Sequence, residues 1–301
     1  MTLTLRGLAA WPILPRMKRL LAAVLAVLLL PPLAGATLVV LVPSADGLVV
    51  AADSRISILG AQCDGQFKIV RLTKPARTVV MVTGDALFVQ PPGPHETDFC
   101  HYVEAAPRLL DIAAVARGYL EQNSDSSKPS LEGLGQACAQ AAGRFRRGHP
   151  DTFQPYAGKE IFSVIVASYD PGSRVATMRN FVVRIHAATH EIQAGRFAET
   201  TVKPEDRRGV WTYGETGYVD RNVYAGFGRK YLAAPTLDFI LTARPVGEVP
   251  MGESAAAAVN ILQAASTTTH TVPAASGIGG PIEVVLLGRK AEPEQIEWVA
   301  R

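Results

Sequence analysis

A threonine that begins a polypeptide carries two reactive groups side by side. Its hydroxyl can attack a carbonyl, and its free α-amine can take the proton that the hydroxyl loses. In this 301-residue chain, cleavage after Ala36 in Ala34-Gly35-Ala36-Thr37 creates such a residue. The segment closes what reads as a secretion signal. Lys18 and Arg19 follow Met17 as a basic start, and residues 20–30 form an unbroken apolar run of eleven. Pro31 and Pro32 interrupt it, and small residues precede the cut. Eleven apolar residues are too few to cross a bilayer, which takes about 20, so the segment reads as a cleaved signal rather than a membrane anchor. No cysteine lies near the cut to carry a lipid. Met17 begins a complete signal by itself, which makes residues 1–16 an overlong start. The expectation is an exported protein, periplasmic or secreted, whose mature chain of residues 37–301 is a single domain.

The residues after Thr37 place a carboxylate near it. Residues 37–43 and 48–52 are apolar runs separated by Ser44-Ala45-Asp46-Gly47. An Asp-Gly pair between such runs predicts a β-hairpin, because both residues accept positive φ. Two apolar strands on one hairpin imply a sheet covered on both faces. With a turn of two to four residues, Thr37 lies opposite a residue between about 54 and 56. Asp53 is then within roughly 10 Å at about 3.3 Å per residue. Asp53-Ser54-Arg55 ends the apolar run abruptly. Two readings are open: an ordinary turn closed by a surface ion pair, or a carboxylate held beside a nucleophile. Farther on, residues 66–72 alternate polar and apolar, and residues 78–83 form another strand pattern that ends at Gly84. A glycine just past a buried strand can present its backbone N–H to a substrate oxyanion.

Charge and composition exclude several partners. Residues 1–36 hold Arg6, Arg16, Lys18 and Arg19 and no acid, so the mature chain keeps 26 of the 30 basic residues against all 27 acidic ones, net −1. No basic run remains for nucleic acid or an anionic membrane. Cys63, Cys100 and Cys138 meet an oxidising compartment after export, which allows one disulfide and one leftover thiol, or three separate buried thiols. No Cys/His spacing suggests a metal. His186 and His190 are four apart, but Ala187 stands where a zinc-protease helix has glutamate, and the neighbouring residues read as strand. The glycines at 277, 279 and 280 lack the strand-before, helix-after setting of a dinucleotide site. No cofactor is expected.

Taken together, Thr37-Leu38-Val39-Val40, then Asp46-Gly47-Leu48-Val49-Val50-Ala51-Ala52-Asp53-Ser54-Arg55, Lys68-Ile69 and Gly84 resemble the start of a proteasome β-subunit. That family belongs to the N-terminal-nucleophile (Ntn) hydrolases. Its aspartate stands sixteen positions after the threonine, as Asp53 does here, and Lys68 falls within one residue of the usual spacing. The likeness extends more weakly to residues 160–169 and 174–185 as central strands. It also covers residues 252–267 as a helix and 282–287 as a strand. Trp211-Thr212-Tyr213-Gly214-Glu215-Thr216-Gly217 occupies the place of a Gly-Ser-Gly turn whose serine assists the nucleophile, with Glu215 or Thr216 in the serine's stead. Ser276 is the hydroxyl nearest the Gly279-Gly280 pair, and residues 91–123 are longer than the family's segment.

The resemblance implies an α+β fold, a four-layer αββα sandwich of two antiparallel sheets flanked by helices. Residues 98–121 and 131–147, the latter capped by Ser130, are the outer helices. It implies a threonine-type peptidase or amidohydrolase with Thr37 as nucleophile, Asp53 holding Lys68, Lys68 lowering the pKa of the α-amine, Gly84 as oxyanion donor and Thr216 as helper. It implies a peptide or amide substrate and a homo-oligomeric ring. A small-amide acylase on the same fold, or a non-catalytic binding or scaffold protein, are the alternatives. Exported compartments generally lack ATP, so no ATPase partner is expected. In the resembled fold the regions of Cys63 and Cys100 border one cleft, which implies a Cys63–Cys100 disulfide with Cys138 free.

Overall fold

The computed structural model describes residues 37–58, 61–66, 68–93, 97–124, 130–156, 158–271, 278–289 and 294–298. The segment read as a secretion signal and Ser276 lie outside the described residues. The chain opens with β1 (Leu38–Ser44) and β2 (Gly47–Asp53), and every residue of both strands is buried. Consecutive side chains of β1 serve two different cores. Leu38, Val40 and Val42 join one cluster, while Val39 and Leu41 join another. The period-2 geometry of a strand sends neighbours to opposite faces, so an uninterrupted apolar run is what a sheet covered on both faces requires.

Two five-stranded antiparallel sheets form the centre. In the first, β12 (Trp211–Gly214), β1, β2, β13 (Ile282–Leu287) and β14 (Glu294–Trp298) lie in that order. In the second the order is β11 (Ile192–Val202), β10 (Val175–Ile185), β9 (Glu160–Asp170), β6 (Thr78–Gly84) and β5 (Ile69–Arg71). Two small two-stranded sheets, β3 (Ile56–Ile58) with β4 (Ala61–Cys63) and β7 (Leu87–Val89) with β8 (Arg108–Asp111), lie outside them. The sheets face each other through Val39, Leu41, Val50 and Val285 on one side and Ile69, Met81, Ile165 and Met178 on the other. Helices α5 (Ala234–Leu241) and α6 (Met251–Thr271) cover the first sheet through Phe239, Ala258 and Ile261. Helices α2 (Ile112–Gln122) and α3 (Leu131–Gly148) cover the second through Ile112, Leu120, Leu134 and Phe145. The expected four-layer α+β sandwich is present. Ser130 caps α3 as expected, its Oγ accepting from the Gly133 N–H at 3.1 Å.

Three local expectations are corrected. Residues 98–121 are not one helix: α1 (Phe99–Ala105) stops, β8 intervenes, and α2 begins at Ile112. Pro107 is the cause, since it disfavours helical backbone at the residue before it, and Ala106 is extended (φ −64°, ψ 144°). The alternating stretch 66–72 yields only the three-residue β5. The hairpin turn is a two-residue connection, the shortest of the expected range, but its glycine acts differently. No positive φ occurs at Asp46 or Gly47. Instead, a Cβ on Gly47 would stand 2.2 Å from the Leu287 carbonyl oxygen, so the absent side chain is what lets β13 close against β2.

Candidate active site

The hairpin register brings the chain segment at Thr37 to the end of β2. Val39 pairs with Ala52 and Ser44 with Gly47, so the same ladder continued sets Leu38 against Asp53 and Thr37 against Ser54, at the near end of the expected range. Thr37 is 7% exposed with residues 1–36 attached. Its carbonyl oxygen accepts from the Glu215 N–H at 3.1 Å, and Leu38 pairs with Gly214 in β12. Gly214 has φ +86°, and a Cβ there would lie 1.8 Å from the Thr37 carbonyl oxygen and 3.3 Å from the Thr83 methyl. Only glycine fits that bend. Among the described residues the Thr37 hydroxyl makes no hydrogen bond.

Asp53 is 2% exposed and bonded on every side. Its Oδ1 accepts from the Leu38 N–H at 2.8 Å and from Lys68 Nζ at 3.1 Å, and its Oδ2 accepts from the Gly279 N–H at 3.2 Å. The Lys68 ammonium therefore lies within about 6 Å of the nitrogen that follows the Thr37 carbonyl, the two hydrogen bonds laid end to end. Asp53 is thus not part of a surface turn. The surface ion pair exists one step away, where the Arg55 guanidinium grips Asp64 through Nε at 2.7 Å and a second nitrogen at 3.0 Å. Burial pulls Lys68 below the usual lysine range, and the Asp53 carboxylate opposes it. Burial likewise raises Asp53, against Lys68 and the Leu38 and Gly279 N–H groups. Every partner of Asp53 is a donor, which favours its ionised form.

Gly84 ends β6 with φ +86°, and its α-carbon backs onto the Ile161 carbonyl and Phe162, where a Cβ would approach to 2.5 Å. It follows Thr83, whose methyl would lie 3.3 Å from a Cβ built on Gly214. Thr216 does not join the cluster through its side chain. It begins the short helix α4 (Thr216–Tyr218), and its hydroxyl makes no hydrogen bond to Thr37 among the described residues. The Glu215 backbone makes the contact instead.

Reading the sequence misses three residues that hold this geometry. Gly214 shapes the bend, and the Gly279 N–H holds the second oxygen of Asp53. Glu283 is 2% exposed, and its Oε2 accepts from the backbone N–H groups of Lys68 at 3.0 Å and Ile69 at 3.1 Å. Burial pushes its carboxyl up, against those two donors. The signal for Glu283 was available, since it is the single charge in the apolar strand Ile282–Leu287. A groove of about 1200 Å³ between α3 and β11, lined by Gln136, Arg144, Arg147, His190 and Phe197, contains none of these residues.

Cys63 and Cys100 form a disulfide, and Cys138 is free and buried in α3. Burial pushes the Cys138 thiol up to about 12, which leaves little of the reactive thiolate near neutrality. Peptide mapping without reductant is expected to recover one Cys63–Cys100 linked pair. Iodoacetamide at about pH 8, near the thiol's unperturbed range, is expected to spare Cys138 until the protein is unfolded. Native-state labelling at the rate of an unfolded control would contradict this burial.

No protein-family model and no curated protein matches the chain. Solved structures do resemble it. A Gly-1 mutant of Anbu from Hyphomicrobium sp. strain MC1 aligns with a TM-score of 0.46 at 16% identity, covering 88% of this chain and 87% of that one. Anbu (ancestral β-subunit) from Yersinia bercovieri aligns with a TM-score of 0.45 at 14% identity, over 86% of each chain. The helical assembly of the Anbu complex from Pseudomonas aeruginosa gives 0.43 at 17% identity, also over 86% of each. The likeness is one of chain path alone.

Proposed function

We propose that this chain is an exported threonine-type amidohydrolase acting on peptides or small amides, with Thr37 as its first residue and nucleophile. One observation carries the reading. A buried carboxylate, Asp53, accepts from the Leu38 N–H and from Lys68 with the same oxygen, so a lysine–aspartate pair is docked on the peptide unit of the threonine itself. Buried charges are expensive unless they are paired, and pairs that perturb each other beside a nucleophile mark functional sites.

The chemistry follows from these groups. Thr37 Oγ attacks the carbonyl carbon of the substrate as the α-amine takes the hydroxyl proton. A free α-amine titrates near 8, and a Lys68 ammonium nearby lowers that value by like-charge repulsion, leaving more of the amine as free base. The Gly84 N–H steadies the tetrahedral oxyanion, which for one good donor is worth about 3–4 kcal/mol. The amine returns the proton to the leaving nitrogen as the C–N bond breaks. Water then cleaves the acyl-threonine ester and restores the hydroxyl. A homo-oligomer is part of the same reading. A non-catalytic, proteasome-like scaffold is the competing one, favoured by the absence of a serine from the turn at residues 214–217, where Glu215 and Thr216 stand instead.

The deciding experiment is mass spectrometry on exported protein. Intact mass and N-terminal sequencing are expected to show Thr37 first. Exposure to a threonine-directed electrophile, such as a β-lactone, is expected to add one adduct that maps to Thr37. A mature chain starting elsewhere removes the nucleophile. A chain that starts at Thr37 yet takes no adduct supports the scaffold.

A further inference from the structure

We infer that Glu283 is a positioning residue for Lys68, fixing the backbone from which the lysine reaches Asp53. Lys68 immediately precedes β5, the edge strand of the second sheet, yet both of its ends are tied to the first sheet. Its ammonium meets Asp53 on β2, and its N–H meets Glu283 on β13. The two carboxylates sit on adjacent strands one step out of phase, with Ile282 opposite Asp53 and Glu283 opposite Ala52.

The geometry at Lys68 is specific. In a regular strand, successive N–H groups point to opposite sides. Here those of Lys68 and Ile69 converge on one oxygen of Glu283, the arrangement of a backbone anion nest. The carboxylate therefore selects a turned backbone at Lys68, and that turn decides where the side chain goes. The location of Glu283 argues against a merely decorative charge. Val285 and Leu287, which share its face of β13, belong to the apolar core between the sheets. A carboxylate there is destabilising unless hydrogen-bonded, and an aliphatic residue would pack at that site without that burden. Besides its attraction for Arg71, the carboxylate supplies what an aliphatic residue could not, two acceptor bonds that fix the backbone at Lys68.

This inference rests on the catalytic reading of Lys68, and the test separates the two. Wild type, Glu283→Ala, Glu283→Asp and Glu283→Gln are prepared with Thr37 first, and their folding is checked by thermal unfolding. Values of kcat and KM on a fluorogenic peptide are compared with the rate of β-lactone adduct formation at Thr37. Glu283→Gln keeps an acceptor oxygen at the same reach and is expected to stay within a few-fold of wild type. Glu283→Asp keeps the charge but falls one methylene short. It and Glu283→Ala are expected to lose about 100-fold in kcat and in adduct rate, the loss produced by a misplacement of about 1 Å, with KM nearly unchanged. Retention by Gln and loss by Asp identifies reach, rather than charge, as what matters. Wild-type kcat in Glu283→Asp or in a folded Glu283→Ala overturns the inference. An unreactive wild type overturns the catalytic reading, and the inference falls with it.

Discussion

One alanine inserted between Ala36 and Thr37 is expected to abolish turnover as completely as Thr37→Ala, while leaving the fold intact. The insertion keeps the hydroxyl but turns the α-amine into an amide, which has no basic lone pair. Loss of a positioned base lowers rates by about 10²–10⁴-fold. The contacts that hold Thr37 explain why the fold should survive. They run through its carbonyl oxygen to Glu215 and through the Leu38 N–H to Asp53, and neither uses the α-nitrogen. Thr37→Ser keeps hydroxyl and amine and is expected to retain measurable activity. The comparison uses purified proteins whose N-termini are confirmed by mass, assayed on a panel of fluorogenic peptides. Full activity in the extended form would mean that another base serves Thr37, and Lys68, depressed by burial, is the group to examine next.

Removing either member of the buried pair is the second large effect expected. Lys68→Ala leaves Asp53 with only the Leu38 and Gly279 N–H groups. Asp53→Asn replaces one acceptor oxygen with a donor where all three partners donate, so one of Leu38, Lys68 and Gly279 must lose its bond. Each variant is expected to fold with a stability loss of about 1–3 kcal/mol, the cost of a buried unsatisfied group. Each is expected to lose at least about 100-fold in kcat/KM. The pH profile gives a sharper test. Activity rises as the α-amine loses its proton and falls as Lys68 loses its own. The lysine is charged below its pKa and neutral above it. Because burial lowers that pKa, the alkaline fall in wild type should come below the ordinary lysine value of about 10.4. An identical alkaline limb in Lys68→Ala would show that a different group titrates there.

The neighbourhood of Thr37 is legible where sequence distance is short and geometry repeats. Two apolar runs and a two-residue turn set the register that brings Asp53 beside Leu38, and alternation along β1 and β2 foretold a sheet buried on both faces. Lys68 was legible only through resemblance, because its contact with Asp53 crosses between sheets and no local periodicity encodes it. The Gly279 N–H reaches Asp53 from 226 residues away, beyond any spacing rule. Strand β11 leaves no sequence signal, because it is an edge strand, largely exposed and without clean alternation. The long helix expected at 98–121 failed at Pro107, whose effect on its predecessor outweighs the surrounding helical pattern. The contact of the Glu215 N–H with the Thr37 carbonyl oxygen depends on the positive φ of Gly214, which no residue spacing encodes.

The Cys63–Cys100 bridge joins positions 37 apart, and the loop that it closes contains both Lys68 and Gly84. By loop-closure entropy, a covalent ring of this size removes about 4 kcal/mol of freedom from the unfolded chain. That gain falls on the segment that faces Thr37 from the second sheet. Without the ring, the segment that carries Lys68 and Gly84 begins folding from a wider ensemble than it does with the ring closed. Chemical reduction of the finished protein is thus expected to lower the stability of the arm that carries Lys68 and Gly84, while the hairpin that carries Thr37 keeps its own ladder.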